Sequence, residues 1–108
     1  SVRRDWGYAG DYTRAMHAML GQDTPRDFVI ATGQDWSVRD FLDRAFDVVG
    51  LNPANFVEHD PGLLRPAEIP VLRGDAALAR KSLGWSPTVG FDELVERMVV
   101  ADLERLST

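Results

Sequence analysis

Phe28-Val29-Ile30-Ala31-Thr32-Gly33-Gln34-Asp35-Trp36-Ser37-Val38-Arg39-Asp40-Phe41-Leu42 is the stretch that decides the fold. Residues 28–31 form a short apolar run of strand formers without alternation, which predicts a strand covered on both faces. Thr32-Gly33 ends it. Ser37 with Asp40 three positions on is a capping box, and it opens a helix. Val38, Phe41, Leu42, Ala45, Phe46 and Val49 then fall on one stripe at helical spacing, and Gly50 closes the element. A strand, a loop and a helix in so few residues make the half-unit of an α/β fold.

Working outward, Tyr12, Ala15, Met16, Met19 and Leu20 predict a helix over about 10–20, with Asp11 as its cap or in its first turn and Gly21 as its stop. Downstream, residues 55–59 read as a second short strand centred on Phe56-Val57. Pro61-Gly62 breaks it. Pro66 and Pro70 keep residues 63–73 extended or turned. Asp75 reads as the N-cap of a short helix over 76–83, anchored by Leu78 and Leu83 and stopped by Gly84. Pro87-Thr88-Val89 is an extended approach to a last helix over about 91–106, whose first turn carries Asp92 and Glu93.

The whole chain is 108 residues, enough for one domain with one core, 1–108, and too short for a complete cofactor domain beside a complete substrate domain. Twelve basic and 17 acidic side chains leave a net charge of −5, which argues against nucleic acid as the partner. Without cysteine there is no disulfide, thiolate metal site or cysteine nucleophile, a composition compatible with the cytoplasm. The apolar runs are too short to span a membrane, and the N-terminus has no signal-peptide core. It begins without Met inside a structured motif, as a piece of a longer protein would.

Spacing alone makes no active site. His17 and His59 are far apart in sequence, no paired metal pattern occurs, and no glycine fingerprint follows a strand. What remains is an anion-binding set: Arg4 just before the first helix, Arg39 in the first turn of the second, and Arg65 in a loop stiffened by Pro66. Guanidinium groups grip phosphate through parallel hydrogen bonds. The competing reading is that these arginines pair with Asp5, Glu68 or Asp40, or face water.

The run Arg4-Asp5-Trp6-Gly7-Tyr8-Ala9-Gly10-Asp11-Tyr12, with Ala15-Met16, the stretch from Asp27 to Gly33 and Ser37-Val38-Arg39-Asp40-Phe41, resembles the GDP-mannose 4,6-dehydratase family. So do Arg65-Pro66-Ala67-Glu68, Gly74-Asp75, Leu83-Gly84-Trp85-Ser86-Pro87 and Phe91-Asp92-Glu93-Leu94-Val95. The resemblance runs through essentially the whole chain, in order. Some of these elements are shared across the extended short-chain dehydrogenase/reductase family; the first run and Val29 to Gly33 with Ser37-Val38-Arg39 are more specific.

The resemblance implies a small mixed helix–strand α/β lobe, the C-terminal substrate-binding part of such an enzyme, with the Rossmann part missing. It implies an NADP-dependent parent that oxidises GDP-mannose at C4, eliminates water across C5–C6 and returns hydride to C6, giving GDP-4-keto-6-deoxy-mannose. NADP would be bound by the missing part, and this lobe alone would be inactive. Arg4 and Arg65 are implied to hold the substrate diphosphate, and Glu68 a ribose hydroxyl of the GDP. Tyr8 stands where the family more often has His, and Ile69-Pro70 departs from the family pattern. A cytoplasmic homodimer or homotetramer is implied for the parent, and an apolar face left bare on this piece. Two other readings stay open: the lobe of another nucleotide-sugar epimerase, reductase or dehydratase, and a non-catalytic nucleotide-sugar-binding protein.

Overall fold

The computed structural model describes residues 2–63, 65 and 67–107. Four helices carry most of the ordered backbone: α1 (Ala9–Leu20), α2 (Val38–Val49), α3 (Ala77–Leu83) and α4 (Phe91–Leu106). Three two-residue strands, β1 (Arg3–Arg4), β2 (Trp36–Ser37) and β3 (Val71–Leu72), form one small sheet in the order β2-β1-β3. β1 runs antiparallel to β2, with Arg3 opposite Ser37, and parallel to β3, with Arg3 opposite Val71. The result is the small mixed α/β lobe expected from the sequence.

The capping box at α2 forms as read: the Ser37 hydroxyl accepts from the Asp40 amide at 3.0 Å, and the Asp40 carboxylate accepts from the Ser37 amide at 2.9 Å. Gly50 at φ 70° ends the helix in the left-handed conformation that a side chain would disfavour. α1 and α4 also lie within a residue of their expected bounds.

Two packing nuclei hold the elements together. In the first, Ala15 of α1, Ala76, Ala79 of α3 and Trp85 are buried together, with Tyr12, Phe28, Ile30 and Leu83 around them. The Trp85 indole N–H donates to the Asp11 carbonyl at 2.8 Å, so the buried ring keeps its polar atom satisfied. The second is aromatic. Trp36 stacks on Phe91 at 4.4 Å, Trp6 lies 4.9 Å from Phe41, and Phe41 meets Phe91 edge-on at 6.2 Å, which ties the sheet to α2 and α4.

Several local expectations are corrected. Residues 28–31 are not a strand: they join no ladder among the described residues, and Val29 is 56% exposed while Phe28 and Ile30 pack on the Trp85 cluster. The run is therefore covered on the Phe28 and Ile30 face and at Ala31, but not at Val29. Residues 55–59 are not a strand either; a 3-10 turn at Pro53–Asn55 takes in their first residue, capped at its start by the Asn52 side chain accepting from the Ala54 amide. Leu78 faces outward and Ala79 is the buried anchor of α3. α3 starts one residue later than expected, with Ala76 at its N-cap, although the Asp75 carboxylate does accept from the Ala77 amide at 2.9 Å.

The lobe is a slab of 54 × 40 × 18 Å with a radius of gyration of 17.0 Å, against about 13 Å for a compact domain of this length. Large apolar side chains are bare on it, among them Met16 and Leu20 on α1, Ile69, and both residues of β3. The N-terminal half of α4 is buried through Phe91, Leu94 and Val95, but Leu103 and Leu106 are exposed.

Candidate functional site

Arg4 stands at the end of β1, beside the chain entering β3. Its Nη1 donates to the carbonyls of Arg3 and Ile69, both at 2.8 Å, and its Nη2 donates to Glu68 Oε1 at 2.6 Å. The other carboxylate oxygen of Glu68 is 3.7 Å from Arg65 Nη1. Glu68 thus bridges two arginines of very different exposure, Arg4 at 29% and Arg65 at 80% of the side chain. All three line an open groove of about 430 Å³ whose apolar wall comes from Val2, Trp6, Val38 and Leu63. Trp6 is held in that wall by its indole N–H, which donates to the Trp36 carbonyl at 3.0 Å.

The sheet under the groove is braced by carboxylates. Asp5, next to Arg4, accepts from the Thr32 amide at 2.9 Å and hydroxyl at 2.6 Å, the Gly33 amide at 3.0 Å and the Gly74 amide at 3.2 Å. One side chain therefore fastens β1 to both loops beside it. Asp35 accepts from the Arg3 guanidinium and from Arg73 at 2.9 Å. The Arg3 hydrogen bond, with the charges of Arg3 and Arg73, lowers the Asp35 carboxyl against the opposing effect of burial. The same hydrogen bond raises Arg3, so both groups stay charged. The Asp40 carboxyl is lowered chiefly by the Ser37 amide it caps.

Asp11 is a second hub, buried in the first turn of α1. Burial pushes its carboxyl up, but this is outweighed by the Thr88 hydroxyl at 2.6 Å, the amides of Val89 at 3.1 Å and Thr88 at 3.0 Å, and Arg14. The net shift is downward, and the carboxylate ties α1 to the segment leading into α4.

Of the arginines singled out in the sequence, Arg4 and Arg65 converge on the groove and Arg39 does not. Arg39 pairs with Asp43 at 3.1 Å on the outer face of α2. Among the pairings weighed against anion binding, that of Arg4 with Glu68 forms, whereas Asp5 takes loop amides and a hydroxyl. Pro66, invoked as a brace for Arg65, lies outside the described residues. Tyr8, given no role, has the Arg97 guanidinium over its ring at 5.1 Å. Sequence reasoning missed Asp5, Asp11 and Asp35 as hubs. Their only local signal is an acid beside residues that expose backbone amides once folded.

A family model described as GDP-mannose 4,6 dehydratase matches residues 1–98. The chain belongs to this family. Among curated relatives, GDP-mannose 4,6 dehydratase 1 of Arabidopsis thaliana is 52% identical over 101 residues, covering 94% of this chain and 28% of the relative. The GDP-mannose 4,6 dehydratase of Homo sapiens is 42% identical over 124 residues, covering 99% of this chain and 33% of the relative. The chain thus spans about a third or less of the relatives it matches. The fold is shared more widely. A UDP-glucose 4-epimerase from Thermotoga maritima, solved with UDP-glucose, superposes with a TM-score of 0.83 at 23% identity, over 97% of this chain and 33% of the other. A dTDP-glucose 4,6-dehydratase from Bacillus anthracis, solved with NAD, gives 0.83 at 13% identity, over 95% of this chain and 32% of the other.

The family implies a nicotinamide dinucleotide, and the described residues of this chain do not fit one. A dinucleotide's pyrophosphate needs a free helix N-terminus behind a glycine turn. Here α1 carries Asp11 in its first turn, α2 is closed by Ser37 and Asp40, and α4 opens with Asp92 and Glu93. The seven-residue α3 has Asp75 on its first amides. Gly50 and Gly84, both at positive φ, end helices.

Proposed function

We propose that this chain supplies the nucleotide-sugar-binding lobe of a GDP-mannose 4,6-dehydratase. In this reading Arg4 and Arg65 take the diphosphate of GDP-mannose, Glu68 takes a ribose hydroxyl, and the chemistry with NADP is done by a part of the enzyme outside these residues. The observation that carries it is the convergence of Arg4 with Arg65 and Glu68, some sixty residues further along the chain, on one groove with an apolar wall.

The physical case rests on Arg4 and its surroundings. Two backbone carbonyls fix its guanidinium, and Asp5 fixes the strand end that presents it, so little order is lost on binding. Two arginines on one diphosphate make charge-assisted hydrogen bonds, stronger than neutral ones and bidentate in geometry. The vicinal diol of a ribose donates to a carboxylate, which only accepts. The lobe by itself turns over no substrate in this account, and its parent is a homodimer or homotetramer working in the cytoplasm.

Titration calorimetry tests the reading. GDP-mannose should bind this chain, and Arg65→Ala should weaken it by about tenfold or more, the worth of one charge-assisted hydrogen bond. If Arg65→Ala lowers only thermal stability and leaves the affinity unchanged, Arg65 braces its loop and the assignment is wrong. Equal affinity for UDP-glucose and dTDP-glucose would support the wider nucleotide-sugar reading instead.

A further inference from the structure

We propose that Glu68 is a specificity-determining residue, an internal anion that holds the two arginines against bare phosphates and yields only to a ligand carrying a vicinal diol. The proposal rests on the reading of the groove given above and goes beyond it. A contact with ribose explains why Glu68 lies in the groove. It does not explain why Glu68 occupies the arginines that would hold a diphosphate.

Arg4 has two donors on each terminal nitrogen and one on Nε. Nη1 is committed to the carbonyls of Arg3 and Ile69, and Nη2 is held by Glu68 at 2.6 Å. Arg65 faces the second oxygen of the same carboxylate at 3.7 Å. Glu68 takes one of the two Nη2 donors, so a diphosphate that engages both arginines through the remaining Arg4 donors is seated directly against the Glu68 carboxylate. If the carboxylate stays nearby without a new donor, it is left beside a like charge, which costs binding. A ribose cis-diol removes that cost by giving the displaced carboxylate two hydroxyl donors. The same anion that screens the arginines in the free lobe becomes a contact in the complex. Inorganic phosphate, pyrophosphate and other bare anions offer no such exchange.

The experiment measures three probes against the wild-type chain and Glu68→Gln: inorganic pyrophosphate, GDP, and 2′,3′-dideoxy-GDP, which differs from GDP only in lacking the diol. The wild type should prefer GDP over both diol-free probes. Glu68→Gln should tighten pyrophosphate and dideoxy-GDP by about tenfold, the worth of one charge-assisted hydrogen bond no longer competing. It should leave GDP unchanged or weaker, so that the preference collapses. Glu68→Ala, with no acceptor at all, should move the two diol-free probes in the same direction. If either variant changes all three affinities alike, or changes none, Glu68 does not discriminate and the proposal falls, while the diphosphate reading stands as long as Arg65→Ala weakens GDP-mannose. If none of the three probes binds the wild type or the variants, both fall.

Discussion

Replacing Asp11 with alanine should be the most damaging single polar change in the lobe. The carboxylate is 3% exposed and receives the Thr88 hydroxyl and the amides of Thr88 and Val89. Thr88 is exposed, so its two donors regain water when Asp11 is lost. Val89 is buried, and its amide would be stranded. Adding the stranded amide to the lost charge-assisted bonds gives about 3 kcal/mol of destabilisation. Asp11→Asn keeps one acceptor oxygen and should cost less, about 1–2 kcal/mol. Urea unfolding reads this as a lower midpoint at an unchanged slope. The effect should also depend on pH. The folded carboxyl lies below its ordinary value of 3.8, so its stabilisation is complete above the unfolded pKa and fades as pH falls through the folded one. The difference between wild type and Asp11→Ala should therefore be full at neutral pH and shrink in acid below about pH 4. A midpoint shift under half the expected size at neutral pH, or a difference that grows on acidification, would refute the reasoning.

Other positions give sharper local tests. Ser37→Ala removes one half of a reciprocal cap and should cost about 1 kcal/mol by the same urea measurement, with the α2 amides exchanging faster. At Gly74 an added Cβ would stand 2.3 Å from the Ala31 Cβ and 3.3 Å from a Val29 methyl. Gly74→Ala should therefore cost about 1–3 kcal/mol and disturb the amides that Asp5 holds, seen as shifts at Thr32 and Gly33 in an amide spectrum. Gly50→Ala meets no neighbour but sits at φ 70°, so its cost should stay near 1 kcal/mol.

The helices were legible because each writes its period and its ends into consecutive residues. The box at Ser37 and Asp40 and the stop at Gly50 needed no knowledge of the rest of the chain. The strands were not legible. Each is two residues long, and Arg3-Arg4 and Trp36-Ser37 carry no alternation to detect; their pairing is set by Asp5, Asp35 and the Trp6–Trp36 contact across the fold. The run at 28–31 misled for the opposite reason. It has strand composition, but no neighbour among the described residues offers it a ladder, and it packs by side chains alone. In the site, Arg4 and Arg65 stand out by residue type as anion binders and Glu68 as a competing partner; resemblance gives the three their roles, and the groove adds that they meet. Pairing with Glu68 is one of the readings the sequence offers; what no local pattern foretold is that the one carboxylate faces both arginines at once.

The central claim is that these three residues form the diphosphate and ribose end of a GDP-mannose site. An amide NMR spectrum of this chain, recorded while GDP-mannose is added, tests it most directly. The account predicts saturable shifts centred on Arg4, Arg65 and Glu68, and a much weaker response in Arg65→Ala. A well-dispersed spectrum that stays unmoved up to millimolar ligand would contradict it.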